Sequence, residues 1–455
     1  MTPGSISPAV EAQLAHIAAS IAEHRIHTVE VGVPDTYGHL RGKRVPAERF
    51  LSSVAVGGLN IADAIFVFDV QCEIVDSPII NMGTGFLDMH LSPDLGTFRL
   101  LPHRPGYAIV MADAFDEHGA PHQLAPRGVL ARQVERVAAL GFDPVVATEL
   151  ECYISTPDWQ PIQHHVQYSS LTDAVGLETM VADMRHALLG AGIPLESSNP
   201  EYGPGQLEIN FGPSDPVTAA DNTVLFKSIV KQVAVHHGAR ATFMPKPLSG
   251  QSGSGMHIHT SLGRGGVNQF GAGPDGNPNE AMARWTAGLL EHACAFQLVG
   301  IPTPNGYRRV RPYTFAPTHV HWGEDNRSVL ARLTTNAGPA NRIELRSAGA
   351  DANPHIAIAA VLAAGCDGLE RSLALPPKAV GDMYAEPGDS PVLPATITEA
   401  IAAFASSGLA ASLGSAFREN FLVLARYEEA IAAGPMAGDA DEVTAWERAR
   451  YLEHT

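Results

Sequence analysis

The chain has 455 residues, of which 45% are apolar and 17% charged, a composition typical of a folded protein rather than a disordered one. At this length two domains are the default expectation. Because 48 acidic residues outnumber 30 basic ones, the formal net charge is −18, which argues against nucleic acid and anionic membranes as partners.

The first predicted elements form a small N-terminal domain. Apolar residues at helical spacing follow Ser7 and Pro8, which predicts a helix over residues 8–25. Residues 27–33 alternate as a strand does and run into a turn at 34–38, and Val45 and residues 107–112 predict further strands of the same sheet. Residues 76–106 are rich in Pro, Gly and Asp, which predicts a long loop.

A second, larger domain follows a boundary near residues 123–126. Helices are predicted over residues 128–140, 172–191, 216–238 and 279–299, and a buried Ala-rich helix over 354–374. They alternate irregularly with strands, which favours an α+β fold, and the Gly-rich residues 262–276 predict a flexible surface loop. We therefore divide the chain into residues 1–122 and 123–455.

Cysteine usage and hydropathy indicate the compartment. The four cysteines lie far apart with no C-x-x-C pair, so we expect buried, reduced thiols rather than zinc ligands or disulfides. No run of about 18 apolar residues occurs, and no basic stretch followed by an apolar one opens the chain. We therefore expect a cytoplasmic protein.

Four short segments place polar side chains at every second residue. They cover residues 149–151, 206–210, 257–261 and 342–346. Because residues two apart in a strand share a face, each segment directs its charged groups one way and its Leu or Ile the other. A sheet surface of carboxylates, imidazoles and guanidiniums is costly unless it holds ions and charged ligands. We interpret this pattern as a catalytic floor.

The acidic segments also have a plainer explanation, because a solvated strand face would account for Glu149 and Glu151 equally well. A second pair of glutamates further along the chain favours a metal site instead. Glu201 and Glu208 flank a tight turn at 202–206, which would bring a loop carboxylate next to a strand carboxylate. Converging carboxylates need cations between them, and oxygen ligands with one imidazole suit Mg²⁺ or Mn²⁺.

The histidine and arginine segments are ambiguous when taken alone. A pair such as His257 and His259 is more often a pair of hydrogen-bonded core histidines, but here it follows a glycine-rich turn that permits close approach of a ligand. Arg342 and Arg346 on either side of Glu344 could form a plain salt bridge. Three alternating charges on one strand also suit phosphate binding beside a metal.

Five ordered motifs extend these segments. They are F-M-P-K-P at 243–247, G-S-G-M-H-I-H at 253–259, N-G-Y-R-R at 305–309, N-R-S at 326–328, and R-I-E-L-R at 342–346 followed by N-P at 353–354. With these motifs the chain resembles the glutamine synthetase superfamily over nearly its whole length, in the bacterial type I pattern. The resemblance implies a small N-terminal β-grasp domain and a large catalytic domain with a curved antiparallel sheet flanked by helices.

The resemblance also implies roles for individual residues, with two to three Mg²⁺ or Mn²⁺ ions per site and ATP as co-substrate. One ion would be held near glutamate by Glu151, Glu201 and Glu208, and another among the nucleotide phosphates by Glu149, His257 and Glu344. The ATP-binding positions are Glu196, His259, Arg332 and Arg342, and the glutamate-binding positions are Gly253, Arg309, Arg327 and Arg346. Arg327 would also stabilise the transferring phosphoryl group and, with Glu344, count as catalytic.

Two positions depart from the ammonium site of the family's ammonia-using members. Their flap glutamate is replaced by Phe315, and the aspartate of their F-D-G-S-S segment aligns with Ala62, with Asp63 one residue away. These three residues are our amine-site candidates. Losing two carboxylates removes a means of capturing ammonium and makes room for a carbon chain. The pattern is similar to relatives that use ethanolamine, polyamines or other alkylamines.

We therefore expect an ATP-dependent ligase that joins the γ-carboxylate of L-glutamate to an organic primary amine through γ-glutamyl phosphate. Three alternatives remain open: a glutamine synthetase in which Asp63 serves the ammonium, a non-catalytic relative kept for assembly or regulation, and a phosphagen-type kinase. The resemblance further implies a homo-oligomer, a dodecamer of two stacked hexameric rings. Tyr384, near the position where some type I enzymes are adenylylated, is expected to be an ordinary surface tyrosine.

Overall fold

The computed structural model of the protein describes residues 7–162, 168–172 and 176–455. In these ranges the chain forms two β-sheets and their flanking helices, an α+β arrangement. The helices before and beside the first sheet are α1 Pro8–Glu23, α2 Ala47–Arg49 and α3 Ala55–Gly57, and a π-helical turn, Phe50–Val54, joins the last two. The helix predicted over residues 8–25 is confirmed, and Ser7 caps it by accepting a hydrogen bond from the Val10 amide.

The first sheet has six strands within the described part of the chain. They are β1 Thr28–Pro34, β2 Leu40–Pro46, β3 Leu59–Ala62, β4 Asp88–Pro93, β5 Arg99–Leu100 and β6 Tyr107–Phe115. Their order is β2–β1–β6–β4–β3, with β5 beside β6. The strands predicted at 27–33, at Val45 and at 107–112 are confirmed as members of one sheet.

The long loop predicted over residues 76–106 is wrong, because β4 and β5 lie inside it. Met89 and Leu91 of β4 are buried and alternate with more exposed neighbours, as expected for a strand with one face on the core. The strand is short and is bounded by Pro, Gly and Asp, and those residues dominated the composition on which the prediction rested. Strand β3, which pairs with β4, was not predicted either.

The second sheet has nine strands in the described residues. They are β7 Asp143–Ser155, β8 Leu195–Pro200, β9 Gln206–Phe211, β10 Arg240–Thr242, β11 Met256–Arg264, β12 Val267–Asn268, β13 Trp322–Glu324, β14 Ala331–Thr334 and β15 Arg342–Leu345. The order is β13–β14–β15–β11–β7–β9–β8, with β10 beside β7 and β12 beside β11. Neighbouring strands are antiparallel except β13 and β14, which are parallel.

The helices around this sheet are α4 Pro126–Ala139, α5 Glu178–Gly190, α6 Pro216–His236, α7 Glu280–Glu291, α8 Ala293–Gly300, α9 Pro354–Glu370, α10 Ile397–Ala405, α11 Gly408–Ser412, α12 Ser415–Ala432 and α13 Ala445–Tyr451. The helices predicted at 128–140, 216–238 and 354–374 are confirmed, and α9 is buried along most of its length against α4, α6 and α7. Of the helix predicted over 172–191, residues 173–175 lie outside the described ranges, and α5 covers most of the remainder.

Two predictions in this region need correction. The single helix predicted over 279–299 is two helices, because the chain turns at His292, whose imidazole bonds to Asp367 with an Nε2···Oδ2 distance of 2.8 Å. The loop predicted over 262–276 is wrong in its first part, where β11 continues to Arg264 and turns back into β12. Gly residues are compatible with such a tight turn as well as with a loop, so composition alone could not separate the two.

Asn353 links α9, a helix beside the second sheet, to the first sheet. Its Oδ1 accepts hydrogen bonds from the first amides of α9, and its Nδ2 donates to the backbone oxygens of Asp35 and Thr36, at 2.8 and 3.2 Å, in the turn after β1. The turn predicted at 34–38 is thus tied to the buried helix. Among the helices of the described residues, none has the length and hydrophobicity needed to cross a membrane.

Candidate active site

Strand register brings the four polar segments together at the centre of the second sheet. His257 of β11 lies opposite Glu149 of β7, and Glu151 of β7 lies opposite Glu208 of β9. On the other side, Glu344 of β15 lies opposite His259 of β11. Directly opposed residues have Cβ atoms about 5 Å apart, so these side chains must meet on one face of the sheet.

The first acidic cluster consists of Glu149, His257 and Glu344, whose potential ligand atoms all lie within 4.8 Å of one another. The His257 Nδ1 atom is 2.9 Å from Glu149 Oε1 and 3.4 Å from Glu344 Oε1. Although burial opposes it, hydrogen bonds from His257 and His259 lower the pKa of Glu149 well below its usual range. Two carboxylates and one imidazole are a ligand set that suits Mg²⁺ or Mn²⁺.

The second acidic cluster consists of Glu151, Glu201 and Glu208, whose carboxylate oxygens also lie within 4.8 Å of one another. Burial raises the pKa of Glu151 to about 7, and burial together with the charge of Glu208 raises the pKa of Glu201 to about 7. Three carboxylates this close repel one another, and a divalent cation between them would relieve that repulsion. The all-oxygen donor set fits a hard cation.

Glu344 lies between two arginines. Its carboxylate contacts the Arg332 Nε and the Arg346 Nη1 atoms, and only 2% of the residue is exposed. Burial alone would raise the pKa of Glu344, but the neighbouring cations, Arg346 first among them, lower it to about 2. The carboxylate is therefore charged at every physiological pH, and it holds both guanidiniums against the first acidic cluster.

Arg309 and Arg346 form a buried pair of guanidiniums, 5% and 2% exposed. Arg309 donates from Nη1 to the Ala348 oxygen at 3.1 Å, and Arg346 keeps an Nε–H that is buried without a partner in the described residues. Gly253 lets Arg309 pass, because a Cβ at residue 253 would lie 2.4 Å from the Arg309 Cγ atom. Two neighbouring guanidiniums with spare donors are suited to bind a carboxylate.

A cavity of about 590 Å³ opens beside the first acidic cluster. Its walls include Glu149 of that cluster and three of the residues that the sequence assigned to ATP, namely Glu196, His259 and Arg342. The fourth, Arg332, does not line the cavity but contacts Glu344. A volume of this size is in the range of small-molecule sites, and the cavity carries imidazole and guanidinium donors of the kind that bind phosphate.

Of the other predicted site residues, Arg327 lies near the second acidic cluster, whereas Ala62 and Asp63 lie at the first sheet. Arg327 is exposed in the loop between β13 and β14, and its positive charge acts on Glu208. Ala62 ends β3 in the first sheet and Asp63 follows it, and within the described residues no hydrogen bond or ion pair joins them to either acidic cluster. Burial, reinforced by Glu117 and Asp88, raises the pKa of Asp63 to about 6.

Aromatic residues near Phe315 were largely missed. Phe315 is 51% exposed, and its ring stacks on Tyr202, which directly follows Glu201 in the chain. The position of Tyr202 next to Glu201 is the one feature of the sequence that points to this ring, because an aromatic residue beside a predicted metal ligand is well placed to contact a substrate. Tyr384 is half-buried rather than on the open surface, because its hydroxyl donates to the Ala316 oxygen at 3.0 Å.

We expect Mg²⁺ or Mn²⁺ to stabilise the protein against heat. Binding to the native state at about 100 times the dissociation constant contributes about 2.7 kcal/mol per ion, which should raise the melting temperature by several degrees. Differential scanning fluorimetry with and without metal measures the shift. Glu201→Gln should reduce it, whereas Glu280→Gln, which changes an exposed carboxylate on α7, should leave it intact. Equal shifts in both variants would contradict a metal at the second acidic cluster.

Comparison with known proteins places this geometry in a family. The sequence model of the glutamine synthetase catalytic domain matches residues 123–451. The chain is 33% identical over 458 residues to a glutamate–isopropylamine ligase from a Pseudomonas species, covering 97% of this chain and 98% of that protein. It is 34% identical over 449 residues to gamma-glutamylethanolamide synthetase from Streptomyces coelicolor, covering 96% and 94%.

Two further matches agree with this family. A glutamine synthetase from Thermus thermophilus is 36% identical over 367 residues, covering 76% of this chain and 82% of that protein. The solved apo structure of GmaS superposes with a TM-score of 0.81 at 29% identity, covering 95% of this chain and 98% of that chain. The chain belongs to the glutamine synthetase family.

Proposed function

We propose that the protein is an ATP-dependent ligase that joins the γ-carboxylate of L-glutamate to an organic primary amine. One observation carries the proposal: both acidic clusters and the arginines around Glu344 are present, while residue 315, exposed beside Tyr202, is a phenyl ring instead of a carboxylate. The relatives named for isopropylamine and ethanolamide products support the same substrate class.

ATP and glutamate would be bound by different sets of residues. ATP would enter the cavity lined by Glu196, His259 and Arg342, with its phosphates toward the first acidic cluster. The α-carboxylate of glutamate would bind the guanidiniums of Arg309 and Arg346, which are buried and oriented by Ala348 and Glu344. Because Arg346 contacts Glu344, glutamate held there would lie next to the phosphates.

The reaction needs a phosphoryl group because a carboxylate has no leaving group that an amine can displace. Transfer of the γ-phosphoryl group from ATP gives γ-glutamyl phosphate and ADP; the amine then attacks the carbonyl carbon, loses a proton and expels phosphate. Mg²⁺ or Mn²⁺ held by the two acidic clusters would supply positive charge that offsets the charge of the phosphoryl oxygens. Arg327, exposed and close enough for its charge to act on Glu208, would add a guanidinium to the same oxygens.

The test is a substrate panel with the purified full-length protein. We expect phosphate release that depends on ATP, glutamate, a divalent ion and an alkylamine, with a γ-glutamyl amide detected by mass spectrometry. Ammonia used better than every alkylamine would show a glutamine synthetase instead. Phosphorylated product without amide would show a kinase, and no turnover with any substrate would show a non-catalytic relative.

A proposal for the assembly and location rests on the family to which the chain belongs. We infer a cytoplasmic dodecamer of two hexameric rings, in which residues 1–122 form a β-grasp domain and residues 123–455 the catalytic domain. In such a ring the β3 end of one subunit, with Ala62 and Asp63, would complete the amine side of its neighbour's site. A monomer or dimer at working concentration in mass photometry would count against this.

A further inference from the structure

Three aromatic rings stack at one side of the floor. Tyr168 and Tyr202 lie with ring centroids 4.6 Å apart and planes 21° from parallel, and Tyr202 and Phe315 follow at 6.3 Å and 25°. All three remain partly open to solvent, with 47%, 41% and 51% of their surface exposed. A row of half-exposed rings on a protein surface usually marks a place where an apolar group binds.

Backbone hydrogen bonds link the ring stack to both acidic clusters, directly to the second and through Arg346 to the first. The Tyr202 amide donates to Glu201 Oε2 at 3.2 Å, which attaches its end of the stack to the second cluster. The Phe315 oxygen accepts from Arg346 Nη2 at 3.4 Å, and Arg346 contacts Glu344 of the first cluster. None of the three rings lines the 590 Å³ cavity, so the stack borders a different side of the floor from the proposed ATP site.

The backbone is strained at one residue of the stack, Phe315, and at Ser169 beside Tyr168. Tyr313 and Phe315 have φ values of 62° and 60°, in the left-handed region that bulky side chains rarely adopt, and Ser169 beside Tyr168 has a φ of 54°. The Thr314 hydroxyl contacts the backbone oxygens of Arg309 and Arg311, at 2.6 and 2.8 Å, and so fixes the loop. Strain of this kind collects at ligand sites, where it keeps a side chain in position.

We propose that this ring stack is the specificity determinant for the amine and selects a primary amine with an apolar substituent. The inference rests on the proposed function, because it assumes that an amine approaches the γ-carboxyl group between the two acidic clusters. Its nitrogen would face the clusters while its carbon chain lies on the rings. Apolar carbon gains from leaving water for the ring faces, whereas a hydroxyl or a second ammonium placed on those faces would lose hydration without gaining a hydrogen bond from them. The faces of aromatic rings do attract cations, but that attraction is weak in contact with water.

The test compares kcat/KM for isopropylamine, ethanolamine and putrescine. We expect isopropylamine to be preferred by about tenfold or more, the usual effect of one well-placed apolar group in a pocket. Phe315→Ala should reduce kcat/KM for isopropylamine about tenfold and narrow the ratio to ethanolamine, with KM for ATP and glutamate retained. Leu189→Ala, which trims an exposed apolar residue of α5 away from the rings, is the control and should change none of these values.

Ethanolamine or putrescine used as well as isopropylamine by the natural protein would overturn the inference. So would an equal loss for all three amines in Phe315→Ala. If Phe315→Ala unfolds at a lower temperature than the natural protein, Tyr202→Leu takes its place, because it keeps an apolar residue but removes the ring. The inference is then tested by comparing the order of preference for the three amines in the natural protein and in Tyr202→Leu. These results are separate from the failure of the proposed function, which would appear as no amide formed with any amine or as ammonia used better than every alkylamine.

Discussion

Glu344→Ala should abolish ATP-dependent phosphate release, lowering it about a thousandfold or more, and should also destabilise the fold. Glu344 is 2% exposed and contacts Arg332, Arg346 and His257. Removing its carboxylate leaves the buried Arg346 and the partly buried Arg332 without their shared partner. Breaking a buried ion pair from one side costs about 3–5 kcal/mol. The same substitution removes one proposed metal ligand and releases Arg346 from the position in which it would bind glutamate.

Two variants separate the stability effect from the catalytic one. Glu344→Gln keeps the size and an oxygen acceptor but loses the charge, so it should fold better than the alanine variant while remaining nearly inactive. Glu370→Ala breaks an exposed pair with Arg136 and should cost at most about 1 kcal/mol, with activity unchanged. Phosphate release and thermal melting measure both effects. Unchanged release in Glu344→Ala would mean that the activity comes from elsewhere.

The floor of the site was accessible from the sequence because strand geometry has a period of two. Alternation in residues 149–151 and 257–261 is enough to predict which side chains share a face, and the structure confirms that they do. The register between neighbouring strands could not be predicted in the same way. That Glu151 lies opposite Glu208, and not one pair further along, depends on turns and on packing between distant segments, which local alternation does not encode.

The aromatic stack could not be predicted from local sequence patterns. Tyr168, Tyr202 and Phe315 come from three separate loops, so no periodic pattern links them, and only the folded chain brings their rings together. The same holds for β4, a short strand whose partner β6 lies some distance along the chain, and whose flanking Pro and Gly resemble loop composition. Both the aromatic stack and β4 depend on contacts between segments that no local pattern links.

Arg327→Ala should lower kcat about a thousandfold while leaving the fold intact. The side chain is exposed in the loop between β13 and β14, so removing it buries no unpaired group and opens no cavity. Its charge reaches Glu208 of the second acidic cluster, where the phosphoryl group would pass. A guanidinium that stabilises charge on a transferring phosphoryl group contributes about 10³-fold or more to the rate. An interaction made mainly in the transition state lowers kcat with little change in KM.

Steady-state kinetics with ATP and glutamate varied separately would test this prediction, and Arg327→Lys and Arg371→Ala provide the matched controls. The lysine variant keeps the charge but not the planar fork, so it should recover part of the rate. Arg371 is likewise exposed, pairs with Asp367 and Glu291 after α9, and should be replaceable without effect. A rise in KM for glutamate at unchanged kcat in Arg327→Ala would assign the residue to ground-state binding of glutamate instead. The fold and the acidic clusters would be unaffected by that result. The phosphoryl oxygens would then need another cation from this chain, and Arg332, already in contact with Glu344 of the first cluster, would be the candidate.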